Sequence, residues 1–364
     1  MTAGEVRHMQ KNSSSLRESN LELFRIVTMF FIVAHHYVVN SGLTLPGGPV
    51  FSDPFSWRSV FLLLFGAWGK TGINCFVLIT GYFMCKSQIT GKKFLKLLFE
   101  IEFYSLGIWL VFVLSGYEKF SFSGLLSTVV PFTHIESNFT GCFLLFYLLI
   151  PFLNILISHL SEKQHVMLLG LCLFIFTLID SVPTFQVGIN YVIWFSVLYI
   201  LASYIRLYPK AIYEKTSLWG LALLVSVLAA IGSILFMTWF GVRNGNANIV
   251  LSYFFVADSN RILAVLVSVC AFLFFKSIKL RYSPFINMVA ASVFGVLLIH
   301  ANNDAMRRWL WGDLLRNVTV YNSPYLILHA IGSVAAIYII CTLIDLIRIR
   351  LLERPVFALH DKRS

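Results

Sequence analysis

Residues 21–40 read LELFRIVTMFFIVAHHYVVN, a run about as long as the ~20 helical residues that a bilayer core requires. Glu22 and Arg25 stand near its start, and His35 and His36 lie deep within its apolar part. On a helix, Arg25 and His36 are separated by eleven positions, a net rotation of about 20° and a rise of roughly 16 Å. They share a face, whereas His35 is turned about 100° away and points elsewhere. Ionisable groups at membrane depth are costly and usually line a cavity or a pathway. Imidazole is also the side chain best suited to take up and return a proton near neutral pH. The stretch therefore predicts a membrane helix with Arg25 at the cytoplasmic headgroup level and His36 near the middle of the bilayer, facing a polar passage.

The whole chain shares this character. Of its 364 residues 58% are hydrophobic and 12% are charged, and the mean hydropathy is +0.79; a soluble chain carries about twice that charged fraction. The expected fold is an all-α polytopic membrane protein with about ten transmembrane helices. They centre on residues 22–40, 59–84, 94–116, 139–157, 165–182, 187–206, 217–240, 260–276, 284–301 and 325–347. Residues 1–20 form a cytoplasmic tail, 21–350 the membrane body and 351–364 a basic cytoplasmic tail. With both termini in the cytoplasm, 20 of the 28 Lys and Arg fall on the inner side, as the positive-inside bias requires. The net charge of +11 thus reflects topology and anionic headgroups. The cations are spread over short loops without a basic stripe, which argues against nucleic acid as a partner. The six cysteines are not spaced for a zinc site or a disulfide framework, and His, Asp and Glu show no metal-ligand spacing.

Two further stretches interrupt the apolar pattern. GAWGKTGINCFVLITGYFMCK, residues 66–86, sets Gly66, Gly69, Gly72 and Gly81 beside Lys70 and Asn74. Small residues permit close helix packing, and with polar groups among them they predict a broken helix beside a polar cavity. SVFGVLLIHANND, residues 292–304, puts His300 at the external end of a span, followed by Asn302, Asn303 and Asp304. Lys96 and Glu100 stand at i, i+4 and predict a structural ion pair.

Taken together, these stretches resemble the acyltransferase 3 family of integral membrane acyltransferases. Arg25-x10-His36 is similar to the basic residue, ten positions, then His of that family's first span. Gly72-Ile-Asn74-Cys-Phe-Val-Leu-Ile-Thr80-Gly81-Tyr82 resembles its second, with Thr80 in place of the usual Ser. Ser292, Gly295 and His300 match its late motif, where Leu297 replaces the usual Tyr. LLFYLLIPFLN, with Pro151 and Asn154, resembles a middle segment whose preceding aromatic pair is altered around Phe139 and Thr140. The resemblance implies transfer of an acyl group, commonly acetyl, from cytoplasmic acyl-CoA to a hydroxyl of a glycan or lipid-linked sugar at the cell membrane. It requires no bound cofactor. Within it His36 is the candidate catalytic residue, as general base or transient acyl carrier. Arg25 with Lys92, Lys93 and Lys96 would meet the donor phosphates. Lys70 and Asn74 would stabilise an oxyanion or hold substrate, and Ser292 and His300 would serve the acceptor side. The competing reading is a transporter or flippase of a glycan lipid, which also uses broken helices and buried polar groups; no corresponding pair of broken segments stands out in the two halves. A glycan polymerase usually presents a large charged external loop, and the external stretches here span only 18 to 24 residues.

Overall fold

Lipid cannot solvate backbone amides, so a chain this apolar must satisfy them internally, and helices do so within one segment. The computed structural model describes residues 18–132, 139–185 and 187–361, and no strand occurs among them. Its principal helices are α1 Ser19–Val39, α2 Trp57–Gly66, α3 Gly69–Met84, α4 Gly91–Leu114, α5 Phe139–Ser158, α6 Glu162–Leu173, α7 Tyr191–Leu207, α8 Thr216–Arg243, α9 Ile262–Ser277, α10 Pro284–Ala291, α11 Val293–Ala301 and α12 Leu326–Arg348. Helices α2 and α3 act as one span, as do α10 and α11, and α6 runs on through a π-helical turn, Phe174–Ile179. Among the described residues, eight segments are long and apolar enough to cross a membrane; α7 and α9 are shorter apolar helices. Together they make up the ten segments expected from hydropathy.

Contacts sort the connections into two ends. At one, Ser283 N donates to Ser19 Oγ at 2.9 Å, Asn20 Nδ2 donates to the Phe275 and Lys276 carbonyls at 3.0 Å, and Arg206 pairs with Glu18 at 3.8 Å. Lys276 also reaches Glu214 there. The basic segments collect at this end, the inner one by the positive-inside bias. At the other end Tyr321 bonds Ser56 and Ser59, and Arg308 reaches Glu118. Helix α1 runs through the centre, with Met29, Val33 and Tyr37 fully buried, while Leu114, Phe152, Leu171 and Leu328 are exposed and face lipid.

The glycines of residues 66–86 explain how α1 and the α2–α3 span come together. A Cβ on Gly66, Gly69 or Gly72 would lie 2.7 Å from Val38, 2.3 Å from His35 or 2.7 Å from Ile32, so the backbones approach as closely as hydrogen side chains allow. Between α2 and α3 the helix breaks at Ala67 and Trp68. The Gly66 carbonyl accepts instead from His35 Nδ1 at 2.5 Å. The expected broken helix is present, and the histidine read as pointing elsewhere is the group that caps the break. A second interruption at Ser292 separates α10 from α11.

One expectation is corrected at the inner end. Lys96 does not pair with Glu100. The guanidinium of Arg348, 3% exposed, takes Glu100 at 3.2 Å, Asp345 at 2.7 Å and Glu353 at 3.0 Å, and Lys96 is left to the outer oxygen of Glu353 at 3.2 Å. A buried fork of donors engages several carboxylates with fixed geometry, whereas an exposed i, i+4 lysine gains little. Tyr104 OH adds a 2.8 Å bond to Asp345 Oδ1. The helix continues past α12 through Ile349–Glu353 and Arg354–Asp361, and Phe357 packs on Phe99 with ring centroids 6.1 Å apart. Removing Arg348 would leave Asp345 and Glu100 buried without a counter-charge. Arg348→Met is expected to cost about 3–5 kcal/mol, and Lys96→Met less than about 1 kcal/mol, read as unfolding of the detergent-solubilised protein.

Candidate active site

His36 lies one turn from the outer end of α1, and Asn40 N donates to its carbonyl at 3.1 Å to close the helix. Its Nδ1 is 2.9 Å from Nε2 of His300, the next-to-last residue of α11. The other nitrogen of His300, Nδ1, is 2.5 Å from the Val296 carbonyl one turn back. His300 is fully buried, and Trp311 stands edge-on to its ring at 6.4 Å. Residues distant in sequence thus join two imidazoles that hydropathy places on separate spans.

His36 faces a cavity of about 910 Å³, which His35, Gly69, Lys70, Trp109, Thr140, Tyr191 and Leu297 also line. Its remaining wall is made by the outer loops, with Tyr117, Glu118, Lys119, Asn302, Asp304, Arg307 and Arg308. The cavity therefore reaches the outer end of the bundle. Lys70 Nζ donates to Tyr191 OH at 2.5 Å and stands 3.8 Å from Asp258. Asn302 links walls: its Nδ2 donates to Ser105 Oγ at 3.0 Å and its Oδ1 accepts from Thr140 Oγ1 at 2.7 Å. Tyr117, in the outer loop, donates to Asp313 at 2.5 Å, and that bond holds the phenol proton above its ordinary pKa. A second cavity of about 440 Å³ lies at the inner end, lined by Lys96, Glu100, Phe143, Tyr147, Arg348, Glu353 and Arg354 among others.

This arrangement of a histidine at an open cavity, a buried partner behind it and a lysine that shares the lining sits inside a sequence that matches a known domain: residues 18–346 match the acyltransferase domain of the acyltransferase 3 family. The chain belongs to that family. No curated protein and no solved structure matches it. The match covers nearly the whole membrane body, so this acyltransferase is a membrane enzyme that moves an acyl group from a donor to an acceptor.

The sequence-predicted residues separate into three groups within the acyltransferase. His36 and Lys70 line the outer cavity, and His300 stands directly behind His36 without reaching the cavity wall. Arg25, Lys92, Lys93 and Lys96 lie toward the inner end. Arg25 is 3.6 Å from Glu22 and its guanidinium lies 5.8 Å from the Phe83 ring centre; it does not line the cavity on which His36 opens. Lys93 bonds Ser87 Oγ and the Gln88 carbonyl at 2.8 Å, Lys92 is half-buried, and Lys96 lines the inner cavity.

Asn74 and Ser292 lie away from the lining of the outer cavity. Asn74 is fully buried and spends both halves of its amide, donating to Ser259 O at 2.6 Å and accepting from Trp194 Nε1 at 2.9 Å, which ties α3 to α7. Ser292 is fully buried at the α10–α11 junction, away from the cavity lining. Reading the sequence missed Tyr191, Asp258, Trp109 and Arg307, since nothing local distinguishes them; the Arg307-Arg308 pair just past His300 is the one visible signal.

Gly69 is where fold and site meet. A methyl there would enter the His35 ring, which cannot retreat without releasing the Gly66 carbonyl. Gly69→Ala is expected to cost about 1–3 kcal/mol by overpacking and to lower activity. Gly107→Ala, on α4 with nothing within 4 Å of its Cβ, should leave both unchanged, a contrast that melting curves and transfer rates check.

Proposed function

We propose that this acyltransferase moves an acetyl or similar acyl group from cytoplasmic acyl-CoA to a hydroxyl of a cell-envelope or exported glycan, with His36 as general base. The observation that carries the reading is the position of His36: it borders the large outer cavity while sharing its helix with Arg25 at the basic inner end. The donor is highly charged and belongs at that end, where Arg25, Lys92, Lys93 and Lys96 would meet its phosphates. The acceptor would enter from the outer loops.

Between the two cavities stands one turn of α5. Phe139 lines the outer cavity and Phe143 the inner one, and their rings stack with centroids 5.9 Å apart. A pantetheine arm threading past this partition would bring the thioester carbonyl beside His36. The acceptor O–H would give its proton to His36, its oxygen would attack the carbonyl, and the C–S bond would break. The departing thiolate would recover the proton, leaving an ester and free CoA. Lys70, fixed by Tyr191, would offer positive charge to the developing oxyanion; such preorganised groups are worth several kcal/mol in a dry site. Trp109, Tyr117 and Tyr191 would give a sugar flat apolar faces to rest on.

A positioned base contributes about 10²–10⁴-fold. Transfer of label from acetyl-CoA to envelope glycan in native membranes should fall by that factor in His36→Ala, in protein that still folds. Wild-type turnover in this variant ends the proposal. Arg25→Ala should raise the acetyl-CoA concentration needed for half-maximal rate; an unchanged value removes Arg25 from donor binding.

A further inference from the structure

Building on the reading of His36 as base, we propose that His300 is a positioning residue whose hydrogen bond determines which nitrogen of His36 carries a proton. The chain of bonds has one consistent solution. The Val296 carbonyl can only accept, so His300 Nδ1, 2.5 Å away, bears the hydrogen. A neutral ring protonated there has a lone pair on Nε2. His36 Nδ1, 2.9 Å from that lone pair, must then be the donor. His36 Nε2 is left with its own lone pair, and it has no hydrogen-bond partner among the described residues. His36, which lines the cavity, thus has a proton acceptor free.

Three observations keep His300 in this role rather than on the substrate. It is fully buried and absent from the cavity wall, while Leu297 and Ala301 of the same helix line it. Its ring is held from behind by Trp311, itself fully buried. Both of its nitrogens are already engaged. A doubly protonated His300 would reverse the bond, turn His36 Nδ1 into the acceptor and place the remaining hydrogen of His36 on Nε2, where no base would be left. The groups that face this pair from the surrounding elements are His35 on α1, Lys70 on α3 and Arg307 beyond α11, and none of them is an acid that could replace the bond.

Without His300, His36 would divide between two tautomers and swing within a roomy cavity. Loss of the group that orients a metal-bound histidine costs about 10–100-fold, and a loss of that order, less than loss of the base itself, is expected here. Glutamine carries an acceptor and a donor on one planar group, so His300→Gln can take the hydrogen of His36 Nδ1 and donate to Val296, whereas His300→Leu fills the space and does neither.

The test compares His300→Ala, His300→Leu, His300→Gln and His36→Ala as full chains at equal abundance in native membranes, titrating labelled acetyl-CoA. The expected result is a 10–100-fold fall in maximal rate for His300→Ala and His300→Leu, with the half-saturating acetyl-CoA concentration unchanged and about tenfold recovery in His300→Gln. Should the alanine variant fail to accumulate, the Gln-to-Leu ratio decides. A wild-type rate in His300→Leu beside an inactive His36→Ala overturns the positioning role and spares the base. Equal rates in the Gln and Leu variants, or a higher half-saturating concentration at full rate, also overturn it. An active His36→Ala overturns the underlying reading instead.

Discussion

A backbone carbonyl left without a partner in hydrocarbon costs several kcal/mol, and much of this fold follows from how one such group is satisfied. The α2–α3 span breaks at Ala67, and Gly66 O takes its hydrogen bond from His35. That bond can form only because Gly66, Gly69 and Gly72 let α1 lie against the span at backbone distance. Once His35 is committed to the break, the next residue is turned about 100° around α1, into the cavity the break helps to open. Consecutive histidines therefore divide the work: one holds the irregular backbone in place, and the other is delivered to the space that irregularity creates.

The inner end solves a different problem. Arg348 is buried and surrounded by Glu100, Asp345 and Glu353, with Tyr104 completing Asp345. This network pins α4 and α12 together, and Asp345 also packs against Gly295, where a Cβ would lie 2.3 Å from its carboxyl carbon. Gly295 lies on α11 five residues before His300. The ion network thereby sets the position of the helix that carries the partner of His36, so an inner cluster with no access to the outer cavity still bears on its geometry.

What the sequence made legible was local. Ten segments, the broken span around Gly66–Gly72 and the face of His36 all depend on hydropathy and on residues within a few turns of one another. The pairings that build the site are not local: His36 meets His300 across 264 positions, Lys70 meets Tyr191 across 121 and Asn74 accepts from Trp194 across 120. No periodicity encodes them. Asn74 shows how little the spacing of a polar residue in a helix decides, since it suits a cavity group equally well whether its amide faces substrate or an indole. Lys96 and Glu100 show a favourable local spacing overridden by a stronger distant partner, Arg348.

The electrostatics of the outer cavity bear on what kind of stabilisation it offers. Of its lining cations Lys70, Lys119, Arg307 and Arg308, three are paired with carboxylates: Lys70 with Asp258, Arg307 with Asp304 and Arg308 with Glu118. A cavity whose charges are largely matched exerts little net pull on an ion, but it holds its donors in fixed directions. Lys70 is held in this way, by a phenol at 2.5 Å and a carboxylate at 3.8 Å, so its ammonium does not need to reorganise when charge develops nearby. Under the proposed reaction that is the useful property, because a hydroxyl acceptor arrives neutral and negative charge appears only as its oxygen attacks. Donors aimed in advance at such charge lower the barrier more than a strong general field, which would bind reactants and transition state alike.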